Sequence, residues 1–202
     1  IALLLIAFAF VMSVGEKVST LLLVALFALS LFNIKQLKLK KLKPLSMLLV
    51  LFSIYIFTHF LVDDVISIKT IEKRFSLVAV PIIFSIVSID KKTFYVICKF
   101  FVFGVVLGCI LNFIEPFIND FDWSTFSFLE IEDKKKIVFK GDKHWMNHFY
   151  SIHFSNFLDR SYYGVYLSLA IAIIWYVLQW KMLHKLLLIF FFVINIFLSN
   201  SL

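Results

Sequence analysis

The chain has 202 residues, 62% of them hydrophobic and only 16% charged, with a formal net charge of +7 and 26 phenylalanines. Its mean hydropathy of +0.97 lies outside the range of ordinary soluble domains, whose cores cannot hide so much apolar surface. The apolar residues form unbroken runs rather than the alternation of a β-barrel. The expected fold class is therefore all-α, a polytopic transmembrane bundle of about seven helices, because a helix satisfies its own backbone polar groups.

In chain order the runs are Ile1–Val14, Val18–Asn33, Leu45–Val62, Phe75–Ile89, Thr93–Ile114, Tyr162–Trp180 and Leu183–Ser199. Each approaches the roughly 20 residues that cross about 30 Å of hydrocarbon, and the shorter ones need a thinner bilayer or neighbours. Ile1–Val14 has no basic segment before it and no small-x-small cleavage site before Gly15, so it reads as the remainder of a helix rather than a signal peptide. The chain is expected to be one transmembrane domain, residues 1–202, cut at both ends. In the fourth run Pro81 predicts either a local break or a tolerated kink.

Basic residues collect in alternate gaps. Lys35, Lys38, Lys40, Lys41, Lys43, Lys91, Lys92, Lys181 and Lys185 fall in one set, against Lys17, Lys69, Lys73 and Arg74 in the other. By the positive-inside rule the first set faces the cytoplasm, and the long segment Glu115–Ser161 becomes an outer loop. The lysines are accounted for by topology, so no nucleic-acid partner is expected; no helix-turn-helix, zinc-finger or single-strand-binding motif accompanies them. Anionic lipid is a partner suited to Lys35–Lys43.

Within the spans, Lys99 is the one ionisable side chain away from the ends, and it is near enough to the inner end to snorkel. That scarcity argues against ion-coupled transport, which needs ionisable groups near the midplane. Gly104 and Gly108 form a small-xxx-small face that permits close helix approach. Cys98 and Cys109, eleven positions apart on that helix, are packing residues too distant for a disulfide. Trp123, Trp145, Tyr150, Tyr162 and Tyr163 suit an outer aromatic belt, Tyr95 and Trp180 an inner one. His144, His148 and His153 lack the cysteine or carboxylate that would complete a zinc set, so no metal is expected; nor does any Gly-rich loop or nucleophile elbow point to a cofactor.

Two stretches carry a resemblance. Glu72-Lys73-Arg74-Phe75-Ser76-Leu77 followed by Val80-Pro81-Ile82-Ile83-Phe84-Ser85, and Asp159-Arg160-Ser161-Tyr162-Tyr163-Gly164-Val165-Tyr166-Leu167, resemble segments of O-antigen ligase and O-antigen polymerase proteins of the Bacteroidetes type. Relatives have His-Pro where this chain has Asp159-Arg160. The resemblance implies a multi-pass protein of the bacterial cytoplasmic (inner) membrane that transfers or polymerises glycan from an undecaprenyl-diphosphate-linked donor on the outer face. The acceptor would be lipid A-core or a growing glycan, and the sequence does not separate ligase from polymerase. It further implies a catalytic histidine in a later outer loop, beyond Leu202, and an inactive fragment without it.

Arg74 and Arg160 are the only arginines, and both fall at outer helix mouths against the charge bias. A guanidinium fork matches phosphate oxygens, so both are candidate ligands of the donor diphosphate, with Lys73 as a third. Asp63 and Asp64 could serve as a base or metal ligands, but solvated helix-end residues are expected there. The competing expectation is a non-enzymatic transporter or flippase.

Overall fold

A computed structural model of the chain describes residues 1–36, 39–62, 75–119, 121–128 and 160–199. These are almost entirely helical: α1 Ala2–Val11, α2 Glu16–Phe32, a 3-10 turn Ile34–Gln36, α3 Leu39–Val62, α4 Ser76–Ile86, α5 Lys91–Asn119, α6 Arg160–Tyr176 and α7 Met182–Ser199. Two two-residue strands, β1 Phe121–Asp122 and β2 Ser127–Phe128, pair antiparallel directly after α5. Each expected run thus has its helix. The boundaries shift most at α3, which begins among the lysines and takes in Lys40, Lys41 and Lys43, and at α5, which continues through Pro116 to Asn119. The expected loop 115–161 is correspondingly shorter. Its first five residues complete α5, and Arg160 and Ser161 open α6. Pro81 does not break α4 but sits buried within it.

Two helices, Lys91–Ile118 of α5 and Met182–Ser199 of α7, are long and apolar enough to cross a membrane; five other apolar helical stretches run 10–17 residues. The side-chain pattern of α7 is the reverse of a soluble helix. Leu183, Leu186, Leu187, Phe190, Val193, Ile194 and Phe197 are exposed, whereas Phe192, Asn195 and Ser199 are buried. An apolar outer face with amide and hydroxyl groups turned inward suits lipid as solvent.

The chain divides into two compact units, Ile1–Phe8 with Lys17–Phe94, and Ala9–Glu16 with Tyr95–Leu202. In the first, α3 lies against α4, and the ring of Phe75, at the start of α4, meets Phe27 of α2 edge-on at 5.1 Å. Leu23, Leu26 and Ser30 form the buried stripe of α2 at helical spacing. The buried hydroxyls of Ser30 and Ser85 donate back to Leu26 O and Ile82 O, both at 2.8 Å, so neither needs a partner from another helix.

In the second unit α6 and α7 form an antiparallel helical hairpin. Lys185 Nζ reaches Trp175 O near the turn (3.2 Å), and Tyr163 Oη reaches Asn195 Oδ1 far from it (3.0 Å). The ring pairs Phe103–Trp180 (6.1 Å) and Phe113–Phe191 (6.4 Å) run α5 beside α7 in the same direction. The core takes Cys98, Phe101, Val102, Val105 and Cys109 from α5, Tyr163, Leu167, Ala170 and Ile174 from α6, and Phe192 from α7. Both cysteines are free and buried, as expected of packing residues. The end of α1 closes on the glycine face of α5. A Cβ on Gly104 would meet Phe10 O, and one on Gly108 would lie 2.7 Å from Ser13 O, so only hydrogen at these positions admits the α1 backbone.

Candidate functional site

Of the three residues expected to hold a phosphate, Arg74 and Lys73 lie outside the described residues. Arg160 is the first residue of α6, at the end of the second unit where α5 finishes and α7 finishes. Helix N-termini leave backbone N–H groups unpaired and carry a partial positive charge. A basic residue there is unfavourable for the helix itself. Asp63 and Asp64, the three loop histidines, Trp145 and Tyr150 also lie outside the described residues.

One turn into α6 stands a buried polar cluster that the sequence reading missed. Tyr163, expected in the aromatic belt, is instead a core residue. It, Cys109, Asn112 and Asn195 are each at most 3% exposed. The single phenolic proton goes to Asn195 Oδ1 at 3.0 Å. Cys109 Sγ lies 3.2 Å from the Tyr163 Oη atom, to which a thiol can donate in return. Asn112 also bonds the phenol, and Asn195 Nδ2 donates to Phe191 O at 2.8 Å. Asn112 Oδ1 has no partner among the described residues.

This cluster joins α5, α6 and α7 through neutral groups. It holds no carboxylate, imidazole or ammonium, so its chemistry is that of positioning rather than proton transfer. What it positions is the first turn of α6. The neighbouring Tyr162 is exposed. A signal for the cluster was present in the sequence, because Asn112 and Asn195 interrupt otherwise apolar runs and an amide inside a span must find partners.

At the same end of the unit, α5 runs into the β1–β2 hairpin, with Phe121 opposite Phe128 and Asp122 opposite Ser127. Asp122 clamps the turn. Its Oδ1 accepts from Ser124 N (2.9 Å) and Ser124 Oγ (2.7 Å), its Oδ2 from Thr125 Oγ1 (2.9 Å). These bonds, the Ser124 hydroxyl foremost, hold its carboxyl below the usual carboxylate range. Phe126 adopts a left-handed φ of 51°. Phe121 gathers Phe117 (5.8 Å), Trp123 (4.7 Å) and Phe126 (5.5 Å) around its ring, while Trp123 and Phe126 remain 69% and 79% exposed.

At the opposite end of the unit the basic residues collect: Lys99 on α5, Lys181 between α6 and α7, and His184 and Lys185 in the first turn of α7. Lys99 bends over the Phe103 ring, 5.6 Å from its centroid. Among the described residues no group of three metal-ligating side chains comes together. No family model, curated protein or solved structure matches this chain.

Proposed function

We propose that the chain is part of a multi-pass protein of the bacterial inner membrane that handles a lipid-linked glycan on the outer face, transferring it or polymerising it in the manner of an O-antigen ligase. In this reading Arg160 grips the diphosphate of an undecaprenyl-diphosphate donor, and Arg74 and Lys73 supply further phosphate contacts. The observation that carries it is the anchoring of the α6 first turn: Arg160 opens the helix, and three residues on Tyr163 is tied to α5 and α7. An arginine opening a helix that is anchored in this way suits a membrane-bound diphosphate, and its charge offsets the charge that develops as the glycosyl bond breaks. Membrane placement is supported by the two helices of spanning length and by the inverted polarity of α7.

A transporter or flippase is the second reading, and the buried polar cluster favours it, since polar groups inside a membrane protein often mark a route. Its members are sealed, however, and line no opening among the described residues. Glycan transfer in cells lacking the native gene separates the two. Full-length protein carrying Arg160→Ala or Arg74→Ala is expected to lose about ten- to hundredfold in transfer, from about 1.5–3 kcal/mol per charge-assisted contact, and lysine is expected to rescue only part because it lacks the planar fork. Wild-type transfer by both alanine variants at equal membrane abundance would overturn the assignment.

A further inference from the structure

A groove of about 500 Å³ opens at the basic end of the second unit, lined by Phe103, Gln179, Trp180, Lys181, His184 and Leu188. We infer that it seats the phosphodiester headgroup of an anionic membrane phospholipid, with one acyl chain lying along Phe103 and Leu188. The inference rests on the membrane placement of α5 and α7 and is independent of donor binding at the other end.

Three observations carry it. The wall combines the apolar Phe103 and Leu188 with the polar Gln179, Lys181 and His184, as a molecule with a charged head and a hydrocarbon tail requires. The polar groups are available: among the described residues the Lys181 ammonium, the Gln179 amide and the His184 ring have no hydrogen-bond partner, whereas Lys185 is engaged with Trp175 O at 3.2 Å. The site also lies at the helix ends, where a headgroup sits. Trp180 stacks on Phe103 at 26° between planes, and the Lys99 ammonium lies over the same ring, 5.6 Å from its centroid, so a second cation besides Lys181 borders the groove. No carboxylate lines the groove, and the first turn of α7 carries no acidic residue. Basic clusters at the ends of spanning helices attract anionic headgroups in this way.

The test uses the full chain, purified in neutral detergent and offered equimolar dioleoyl phosphatidylglycerol and dioleoyl phosphatidylcholine, with retained lipid counted by native mass spectrometry. Phosphatidylglycerol is expected to be retained preferentially. The preference should fall about fivefold in Lys181→Gln, should fall also in His184→Gln, which removes a ring N–H donor, and further in their combination, and should persist in Lys185→Gln, whose ammonium is already engaged. A second readout locates the lipid: brominated phosphatidylglycerol should quench wild-type tryptophan fluorescence more than brominated phosphatidylcholine does, with the difference lost in Trp180→Phe. Should the double variant fail to fold, the single variants and the quenching decide. Equal retention of the two lipids, or a preference unchanged by Lys181→Gln and His184→Gln, would refute the site. Release of the lipid by an equal concentration of inorganic phosphate or glycerol 3-phosphate would reassign the groove to a soluble phosphate and overturn the lipid inference.

Discussion

Replacing Gly104 with alanine adds one methyl group where the backbone of α1 already lies. The new Cβ would contact Phe10 O, stand 2.8 Å from Phe10 C and 3.0 Å from Ser13 Oγ. Two of these three atoms are backbone, so no rotamer change relieves the contact and α1 must move. At Gly108 the close neighbour is Ser13 O at 2.7 Å, in the turn that follows α1, a milder clash. Overpacking of this kind costs about 1–3 kcal/mol, offset by about 0.5–1 kcal/mol because alanine is the better helix former. The expected net loss is therefore about 1–2 kcal/mol for Gly104→Ala and less for Gly108→Ala. The double variant should fall short of the sum, since both methyls displace the end of α1 and the turn that follows it. Gly15→Ala is the control: a Cβ there meets nothing within 4 Å, and the change should be neutral or slightly stabilising. Unfolding of the full chain by rising dodecyl sulfate in mixed micelles, followed by tryptophan fluorescence, gives the order. Gly104→Ala as stable as Gly15→Ala would refute the close approach of α1 to α5.

Tyr163→Phe keeps the ring and removes the hydroxyl that serves Asn195 and Cys109; in the same micelle assay it should cost about 0.6–1.7 kcal/mol, the span measured for hydrogen bonds inside membrane proteins, and no change would dissolve the cluster as an anchor. Asp90 precedes α5 and is held below the usual carboxylate range, chiefly by a bond with the Thr93 side chain. A lowered folded value means that its contribution is present above the unfolded value and is lost as pH falls through the folded one. Amide protection at Thr93 and Phe94, corrected for intrinsic exchange, should thus decline below about pH 4 and do so less in Asp90→Asn. For topology, a cysteine at Ser127 should react with an impermeant maleimide in intact cells and one at Gln36 should not. Cys98 and Cys109, both buried, should stay silent, and the opposite labelling would invert the orientation.

The seven helices were legible because each is an apolar run bounded by charges or by Gly15, Asp90 and Lys181, signals that act locally. The glycine face was legible for the same reason: the spacing of Gly104 and Gly108 is a property of one helix. Boundaries were harder to read where a residue tolerates two states. Lys40, Lys41 and Lys43 are good helix formers and extend α3 despite their charge. Pro116 leaves α5 intact, as Pro81 does α4. Tyr163 was misread because its neighbour Tyr162 has the same side chain, and only the rotation of α6 about its axis decides which of the two faces outward. That rotation is set by Cys109, 54 positions away, and Asn195, 32 positions away. No single-helix pattern contains such partners. Arg74 and Lys73 rest on sequence alone.

On the proposed membrane reading, the unequal lengths of α5 and α7 have a mechanical consequence. At a rise of about 1.5 Å per residue, the 29 residues of α5 measure about 43 Å and the 18 of α7 about 27 Å. Only α7 matches about 30 Å of hydrocarbon. Fitting α5 by leaning would require a tilt of about 45°, beyond the usual range, and the ring pairs Phe103–Trp180 and Phe113–Phe191 hold it to its shorter companion. With Phe113 level with Phe191, Asn119 and Ser199 finish at about the same height, and the surplus length of α5 falls before Phe103, at the basic end. About 15 Å of rigid helix therefore stands beyond the start of α7 at that end, so that thinning or thickening the bilayer changes how much of it lies in the headgroup layer without any change in its fold.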